Sequence, residues 1–181
     1  MAKFELSLEY VLKNEGVKYD KSGSVINTGW VNNPNDKGGA TNWGITLRTA
    51  QRHGFRDIAD LKAMTKAQAA EIYRKDFWLY DDIADQRLAT IFFDMGVNMG
   101  VTAATRLWQC VLYMQGADLA LDGKLGPKTI AAINDYRLGI NDLLMGIAHA
   151  WAGRSSHIVE CNPSQVEFLR GWCNRAKKVP Q

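Results

Sequence analysis

The sequence predicts a mainly α fold of the α+β kind, a helical bundle with a small β-hairpin and loop lobe near its N-terminus. Apolar residues recur at helical spacing along most of the chain. Residues 19–46 instead are rich in glycine, asparagine and other turn-forming residues, with only short β-prone runs. With 181 residues, 46% hydrophobic and 23% charged, the composition is that of one or two globular domains, which argues against a disordered chain.

The first predicted helix ends at a glutamate. An apolar face from Phe4 to Leu12 follows the i, i+4, i+7, i+8 spacing, and Gly16 can end the helix with a positive φ. Glu15 therefore lies at the helix end, beside the glycine-rich lobe, where a cleft would form. The partial negative charge of a helix C-terminus favours a protonated carboxyl, the form that a general acid needs. From spacing alone, a solvated glutamate is the better interpretation.

The lobe contains two β-prone pieces, Val25-Ile26 and Trp30-Val31, and the stretch Asp36-Lys-Gly-Gly-Ala-Thr41-Asn-Trp43-Gly-Ile-Thr46. Its adjacent glycines predict a tight turn that brings a carboxylate, a hydroxyl and an indole together. Asp36 and Thr41 are residue types that can position water, or stabilise positive charge on a sugar ring, opposite an acid. Taken alone, the stretch is better explained as a hairpin turn with a capping aspartate.

Helical patterns return after the lobe. Thr65, with Gln68 three residues later, predicts a capping box, Thr102 a further N-cap, and Pro127 a first helical position. The predicted helical ranges are 46–53, 65–79, 86–97, 102–114, a helix from 127, 141–153 and 163–178.

Charge and cysteine usage exclude several classes of protein and site. The net charge of +3 resides in the tail from Arg154 onward and forms no dense basic stripe, so a nucleic-acid partner is not expected. The three cysteines are far apart without a CxxC motif, which predicts buried, reduced thiols. The three histidines lack metal-ligand spacing, so neither a metal nor another cofactor is expected.

Membrane and export signals are also not expected. No apolar stretch reaches the roughly 18 residues of a membrane-spanning helix, so stable membrane insertion is not predicted. Glu5 and Glu9 fall where a secretory signal has its apolar region, so we expect no signal peptide.

Several motifs, in order, resemble those of a known family. The segments Tyr10-Val-Leu-Lys-Asn-Glu15-Gly16 and Asn33-Pro-Asn-Asp36-Lys-Gly-Gly-Ala-Thr41-Asn-Trp-Gly-Ile-Thr46 are similar to the signature of glycoside hydrolase family 108. These are N-acetylmuramidases of the lysozyme-like superfamily, found as phage endolysins and in bacterial secretion systems. Further matching blocks lie at 70–78, 93–100, 121–129, which is similar to the family's peptidoglycan-binding motif, and 171–175.

The resemblance implies roles for particular residues. Glu15 matches the family's essential glutamate, the acid that protonates the glycosidic oxygen, while Asp36 and Thr41 fall where the superfamily places groups on the other face of the reaction. Sugars stack on aromatic rings and bond to amides, and the residues expected to contact substrate are Trp43, Tyr73, Trp78 and Asn98. Tyr73 and Trp78 could equally be core residues.

This chain also departs from the family pattern. Val17 follows Glu15-Gly16 where the family commonly has another glycine, and the insertion-like stretch from Asp20 to Trp30 leaves Asp20 as a rival second carboxylate. The second catalytic group therefore stays open between Asp36, Thr41 and Asp20. Asp94, inside an apolar run, is expected to be a satisfied buried carboxylate.

The expected function is hydrolysis of the β-1,4 bond between N-acetylmuramic acid and N-acetylglucosamine, by a catalytic region at 1–100 with its β lobe at 19–46. A helical peptidoglycan-binding region is expected at 101–181, where Asp122 to Thr129 could contact substrate or only cap the helices. The alternatives are a lytic transglycosylase and a non-catalytic peptidoglycan-binding protein. We expect a monomer made in the host cytoplasm, released by a separate holin or secretion system to act on peptidoglycan glycan strands in the periplasm.

Overall fold

The computed structural model describes residues 1–32, 39–136 and 139–178. Its helices are α1 Phe4–Asn14, α2 Leu47–Gln51, α3 Ile58–Lys62, α4 Lys66–Phe77, α5 Gln86–Met99, α6 Val101–Met114, α7 Pro127–Asn134, α8 Ile140–Cys161 and α9 Val166–Ala176, the last preceded by a 3-10 turn at Pro163–Gln165. The strands are β1 Lys18–Tyr19, β2 Val25–Asn27, β3 Thr41–Asn42 and β4 Ile45–Thr46. The predicted mainly α fold with a small β lobe is confirmed.

The chain forms two compact units. The N-terminal unit is Phe4–Trp78, and the C-terminal unit combines Met1–Lys3 with Leu79–Gln181. Helix α5 therefore lies in the same compact unit as the helices that follow it. The sequence prediction instead placed this segment in the catalytic region at 1–100.

The β lobe of the N-terminal unit consists of two antiparallel hairpins. In the first, β1 pairs with β2, and Lys18 faces Asn27. In the second, β3 pairs with β4 through a two-residue turn. The predicted strand at Trp30-Val31 is reduced to an isolated bridge between Val31 and Thr41.

The helix caps agree in part with the sequence prediction. Thr65 and Gln68 form the expected capping box at α4. The prediction of Thr102 as an N-cap is wrong, because α5 and α6 meet at the single residue Gly100, whose φ of 86° turns the chain without a side-chain cap. The short helix α3 was not predicted, although Asp57 caps it.

Helix α8 is longer than predicted. Gly153 was expected to end it, yet the helix continues to Cys161. A glycine inside a helix costs only about 1 kcal/mol, and packing of α8 against both α6 and α9 overrides that preference.

The core of the C-terminal unit is aromatic. The rings of Phe92 and Trp108 stack at 4.6 Å with an interplanar angle of 7°, and the Trp108 indole donates to the Met95 sulfur at 3.3 Å. Asp94 is fully buried and accepts two hydrogen bonds from Arg175, at 2.8 and 3.0 Å. The expectation of a satisfied buried carboxylate is therefore confirmed.

The three cysteines are free, but the predicted burial of their thiols is wrong. Cys161 is exposed, and Cys110 and Cys173 are half-buried. In the part of the chain that the structure describes, no helix is both long and apolar enough to cross a bilayer.

Candidate active site

Glu15 is fixed by the way in which α1 ends. Gly16 has a φ of 89°, its N–H donates to the Lys13 carbonyl at 3.3 Å, and the N–H of Val17 donates to the Leu12 carbonyl at 3.0 Å. These two bonds around a left-handed glycine form a Schellman motif. Glu15, half-buried, is the residue between the last helical turn and that glycine, so its backbone position is determined by α1.

Two glycines of the β lobe approach Glu15 closely. A Cβ atom built on Gly44 would stand 2.7 Å from the Cβ and Cγ atoms of Glu15, and one built on Gly29 would stand 2.8 Å from the Glu15 carbonyl oxygen. Both glycines have positive φ, 76° and 73°. Only glycine allows both the close approach and the positive φ, because a side chain would collide with Glu15 and would also strain the backbone. At these two positions the lobe therefore contacts Glu15 through glycine backbone atoms.

The turn between β3 and β4 is strained at Trp43. Its φ of 55° is positive, which is rare for a bulky residue. Three hydrogen bonds hold it: its N–H donates to the Thr28 carbonyl at 2.9 Å, its indole to the Met64 carbonyl at 2.8 Å, and its own carbonyl accepts from the Tyr73 hydroxyl at 2.8 Å. Strained residues persist only where their surroundings over-determine them, and they cluster at functional sites.

Tyr73 completes this arrangement. The position that a Gly44 Cβ would occupy lies 2.5 Å from the Tyr73 hydroxyl oxygen as well as 2.7 Å from Glu15. Tyr73 and Trp43 are 1% and 5% exposed, respectively. Because both residues are buried and joined by a hydrogen bond, we infer that they position the β3–β4 turn against Glu15. The sequence prediction that they contact substrate stays a prediction.

Thr41 belongs to the same hairpin. Its backbone N–H and carbonyl bond to Val31 at 2.8 and 2.9 Å, and its half-buried hydroxyl lies 3.5 Å from the Gly39 carbonyl. The hairpin thus connects Thr41 rigidly to the turn that abuts Glu15. Asp36 lies outside the described residues.

Asp20 lies in the turn between β1 and β2. One of its carboxylate oxygens accepts from the Ser22 N–H, the Ser22 hydroxyl and the Ser24 N–H, at 2.8, 2.6 and 2.9 Å. The Ser22 hydroxyl first, and then the Ser24 N–H, hold the pKa of Asp20 below its usual range. The carboxylate thereby stabilises its own turn.

The first hairpin is joined to two helices. Tyr19 on β1 donates its hydroxyl to Glu9 on α1 at 2.8 Å, and Lys66 on α4 also bonds to Glu9. Burial, and then the hydrogen bond to Glu9, raises the pKa of Tyr19. Because β1 begins two residues after Gly16, this network helps to keep the lobe beside the end of α1.

The remaining predicted site residues lie elsewhere. Trp78 is 5% exposed and packs edge-on against Phe4, with ring centroids 5.4 Å apart. Asn98 is exposed near the end of α5, in the C-terminal unit. In the N-terminal unit, the structure brings together Glu15, Trp43, Tyr73 and the hairpin of Thr41.

The loop that begins at Asp122 is organised by Gln109 of α6. The buried Gln109 amide donates to the Asp122 carboxylate at 2.9 Å and the Thr129 hydroxyl at 3.3 Å, and its oxygen accepts from the Gly123 N–H at 2.8 Å. Hydrogen bonds from the Lys124 N–H and from Gln109 hold the pKa of Asp122 below its usual range. Sequence reasoning missed Gln109, although an amide in the apolar face of α6 was a usable signal.

The expected resemblance is confirmed by comparison with known proteins. Residues 8–100 match the family described as Glycosyl hydrolase 108, and residues 103–177 match one described as Predicted Peptidoglycan domain. Among solved structures, the chain is similar to Brucella abortus SagA, with a TM-score of 0.70 and 27% identity over 96% of this chain and 88% of that one. A comparison with curated proteins gives no match. Because the first match spans more than half of its length, this chain belongs to the glycosyl hydrolase 108 family and is a glycoside hydrolase that acts on peptidoglycan.

Proposed function

We propose that this enzyme hydrolyses the β-1,4 bond between N-acetylmuramic acid and N-acetylglucosamine, with Glu15 as the general acid that protonates the glycosidic oxygen. The placement of Glu15 supports this role most directly. The residue ends α1 in a Schellman motif and touches two glycines of the β lobe. A positioned acid of this kind contributes about 100- to 10,000-fold to a rate.

We assign the opposite face of the reaction to the β3–β4 hairpin. Thr41, whose side chain is half-buried, would position the attacking water or the intermediate there. Asp36, five residues before Thr41, stays in the proposal on the strength of the family signature alone. Asp20 is the weaker choice, because its turn already occupies one of its carboxylate oxygens.

The principal test replaces Glu15 by its neutral isostere. Glu15→Gln should lose at least about 100-fold in the release of reducing ends from purified cell walls, with an unchanged circular dichroism spectrum. Glu71→Gln, an exposed glutamate on α4, is the matched control and should retain activity. Near-normal wall clearing by Glu15→Gln would overturn the assignment.

The same digests separate the alternative reactions. Hydrolysis adds water to each product, whereas a lytic transglycosylase leaves a 1,6-anhydro sugar, so mass spectrometry of released muropeptides distinguishes the two. A non-catalytic peptidoglycan-binding protein would release no new reducing ends. NMR of the initial anomer then reports retention or inversion, for which carboxyl separations of roughly 5 to 5.5 Å or 6.5 to 9.5 Å, respectively, are typical.

We further propose that Trp30 offers a sugar-stacking surface in the N-terminal unit. Trp43, Tyr73 and Trp78 are buried, whereas Trp30 is half-buried, with the Lys62 ammonium 5.8 Å from its ring centroid. It follows Gly29, the glycine that touches Glu15. Trp30→Ala should raise the KM for soluble glycan strands more than it lowers kcat, and an unchanged KM would contradict the proposal.

We extend the proposal to the biological role that the family resemblance implies. The enzyme would act as a monomeric phage- or prophage-type endolysin, synthesised in the host cytoplasm and released by a separate holin or secretion system to the periplasm, where it causes bacteriolysis. Co-expression with a holin should cause lysis, and Glu15→Gln should abolish it. Light scattering of the purified protein tests the monomeric state.

A further inference from the structure

A pocket lies in the C-terminal unit, where α5, α8 and α9 meet. It encloses about 210 Å³, a volume that suits one sugar ring or part of a peptide. Its residues include Trp151 and Ser155, which are buried at 2% and 4% exposure, together with Asn98, Arg154, Ile158 and Trp172. A buried base with an accessible rim is typical of a ligand site.

An aromatic surface forms one side of this pocket. Trp172 is half-buried and stacks with Phe168, four residues earlier on α9, at 5.9 Å and an interplanar angle of 28°. Phe168 is 46% exposed, and Ile158 is 36% exposed. Exposed aromatic and aliphatic side chains at a pocket rim are suited to the C–H face of a sugar and to small peptide methyl groups.

Polar groups at the rim give the pocket a chemical preference. Asn98 on α5 and Arg154 on α8 are both exposed, and within residues 1–32, 39–136 and 139–178 neither side chain makes a hydrogen bond or ion pair. An unpaired guanidinium matches a carboxylate in charge and geometry. An amide can donate to and accept from the hydroxyl and N-acetyl groups of an amino sugar.

We propose that this pocket binds the peptide-bearing muramyl unit of peptidoglycan, with the sugar against Trp172, its polar groups bonded to Asn98, and a stem-peptide carboxylate paired with Arg154. The inference rests on peptidoglycan being the substrate. It adds a binding site whose lining residues do not include Glu15. A carboxylate-bearing ligand is favoured over a neutral glycan because, among the described residues that line the pocket, Arg154 contributes the one formal charge.

The test measures binding without cleavage. In the full-length Glu15→Gln variant, isothermal titration calorimetry with a purified disaccharide-tetrapeptide, and separately with a neutral chitin oligosaccharide, should show preference for the peptide-bearing ligand. Adding Arg154→Ala should weaken disaccharide-tetrapeptide binding by about tenfold, the loss of one charge-assisted hydrogen bond, and bring it to the level of the chitin oligosaccharide. Added salt should have the same effect, because the ion pair is exposed.

Matched controls keep the test specific. Arg170→Ala removes an equal charge from an exposed site on α9 outside the pocket, and Tyr113→Leu removes an exposed aromatic ring on α6. Both should bind as the parent does. Asn98→Ala should weaken the binding of both ligands, and so should Trp172→Leu if that variant stays folded. Unchanged binding in both Arg154→Ala and Asn98→Ala would overturn the proposal, as would an equal loss in Arg170→Ala.

The outcomes distinguish this inference from the proposed reaction. If wall hydrolysis depends on Glu15 while the pocket variants bind normally, the pocket assignment is wrong and the catalytic proposal stands. If the pocket variants lose binding while the enzyme releases anhydro products, the binding site stands and the reaction must be revised.

Discussion

Gly44 lies so close to the side chain of Glu15 that a single added methyl group would fall 2.7 Å from the Glu15 Cβ and Cγ atoms. We therefore expect Gly44→Ala to displace either the carboxylate or the turn that faces it. The variant should lose at least about tenfold in kcat, because misplacement by about 1 Å costs up to 100-fold in a positioned site. Initial rates of reducing-end release measure this loss.

The control for Gly44→Ala is Gly54→Ala. Gly54 also has a positive φ, 90°, but a Cβ atom there would have no neighbour within 4 Å. Gly54→Ala should lose about 1–2 kcal/mol of unfolding free energy through backbone strain. Gly44→Ala should lose more, because its Cβ atom also collides with Glu15 and Tyr73, and it alone of the two should lose activity. Equal losses of activity would mean that strain, rather than contact with Glu15, accounts for the effect.

Tyr73→Phe tests whether a buried hydroxyl positions the site or contacts substrate. Removing the donor to the Trp43 carbonyl should cost about 1–3 kcal/mol of unfolding free energy, because that carbonyl loses a buried partner. Since Tyr73 is 1% exposed, kcat should fall while the KM for soluble glycan strands stays nearly constant. Tyr113→Phe, at an exposed position, should change neither. A raised KM with an unchanged kcat would instead support the substrate contact predicted from sequence.

The sequence was sufficient to predict the elements whose signals are local. The end of α1 at Gly16, the capping box at Thr65 and the start of α7 at Pro127 each depend on residues within one helical turn. The helix junction at Gly100 and the continuation of α8 through Gly153 were mispredicted, because packing between helices determines them.

The site was predictable in its residue types but not in its contacts. The motif around Glu15 and Thr41 identified the hairpin, yet the approach of Gly29 and Gly44 to Glu15 joins segments far apart in the chain. Aromatic residues were predicted to contact sugar because of their chemistry. Burial of Trp43 and Tyr73 is a tertiary property that no spacing rule reveals.

The ion pair between Asp94 and Arg175 connects α5 to α9, the helices that carry Asn98 and Trp172. Arg175→Met would leave a fully buried carboxylate without its guanidinium partner, so we expect a loss of about 3–5 kcal/mol in unfolding free energy. Arg170→Met, the same substitution at an exposed position on α9, should cost less than about 0.5 kcal/mol. Denaturant titration measures both, and similar values for the two would contradict a structural role for the pair.

Asp122→Asn tests the acid dependence of stability. The folded state lowers the pKa of Asp122 through the Lys124 N–H and the Gln109 amide, so the carboxylate stabilises the fold above the ordinary carboxyl pKa of about 3.9 and ceases to do so as the pH falls through the lowered value. The variant should therefore melt below the wild type at pH 7, and the gap should close as the pH falls below the ordinary carboxyl pKa and through the lowered one. Asp118→Asn, at an exposed position nearby, removes the same charge and is the matched control. Because the Asp122 carboxylate is occupied by its own loop, binding to purified walls at pH 7 should be unchanged, and a clear loss of wall binding would instead place Asp122 in contact with substrate.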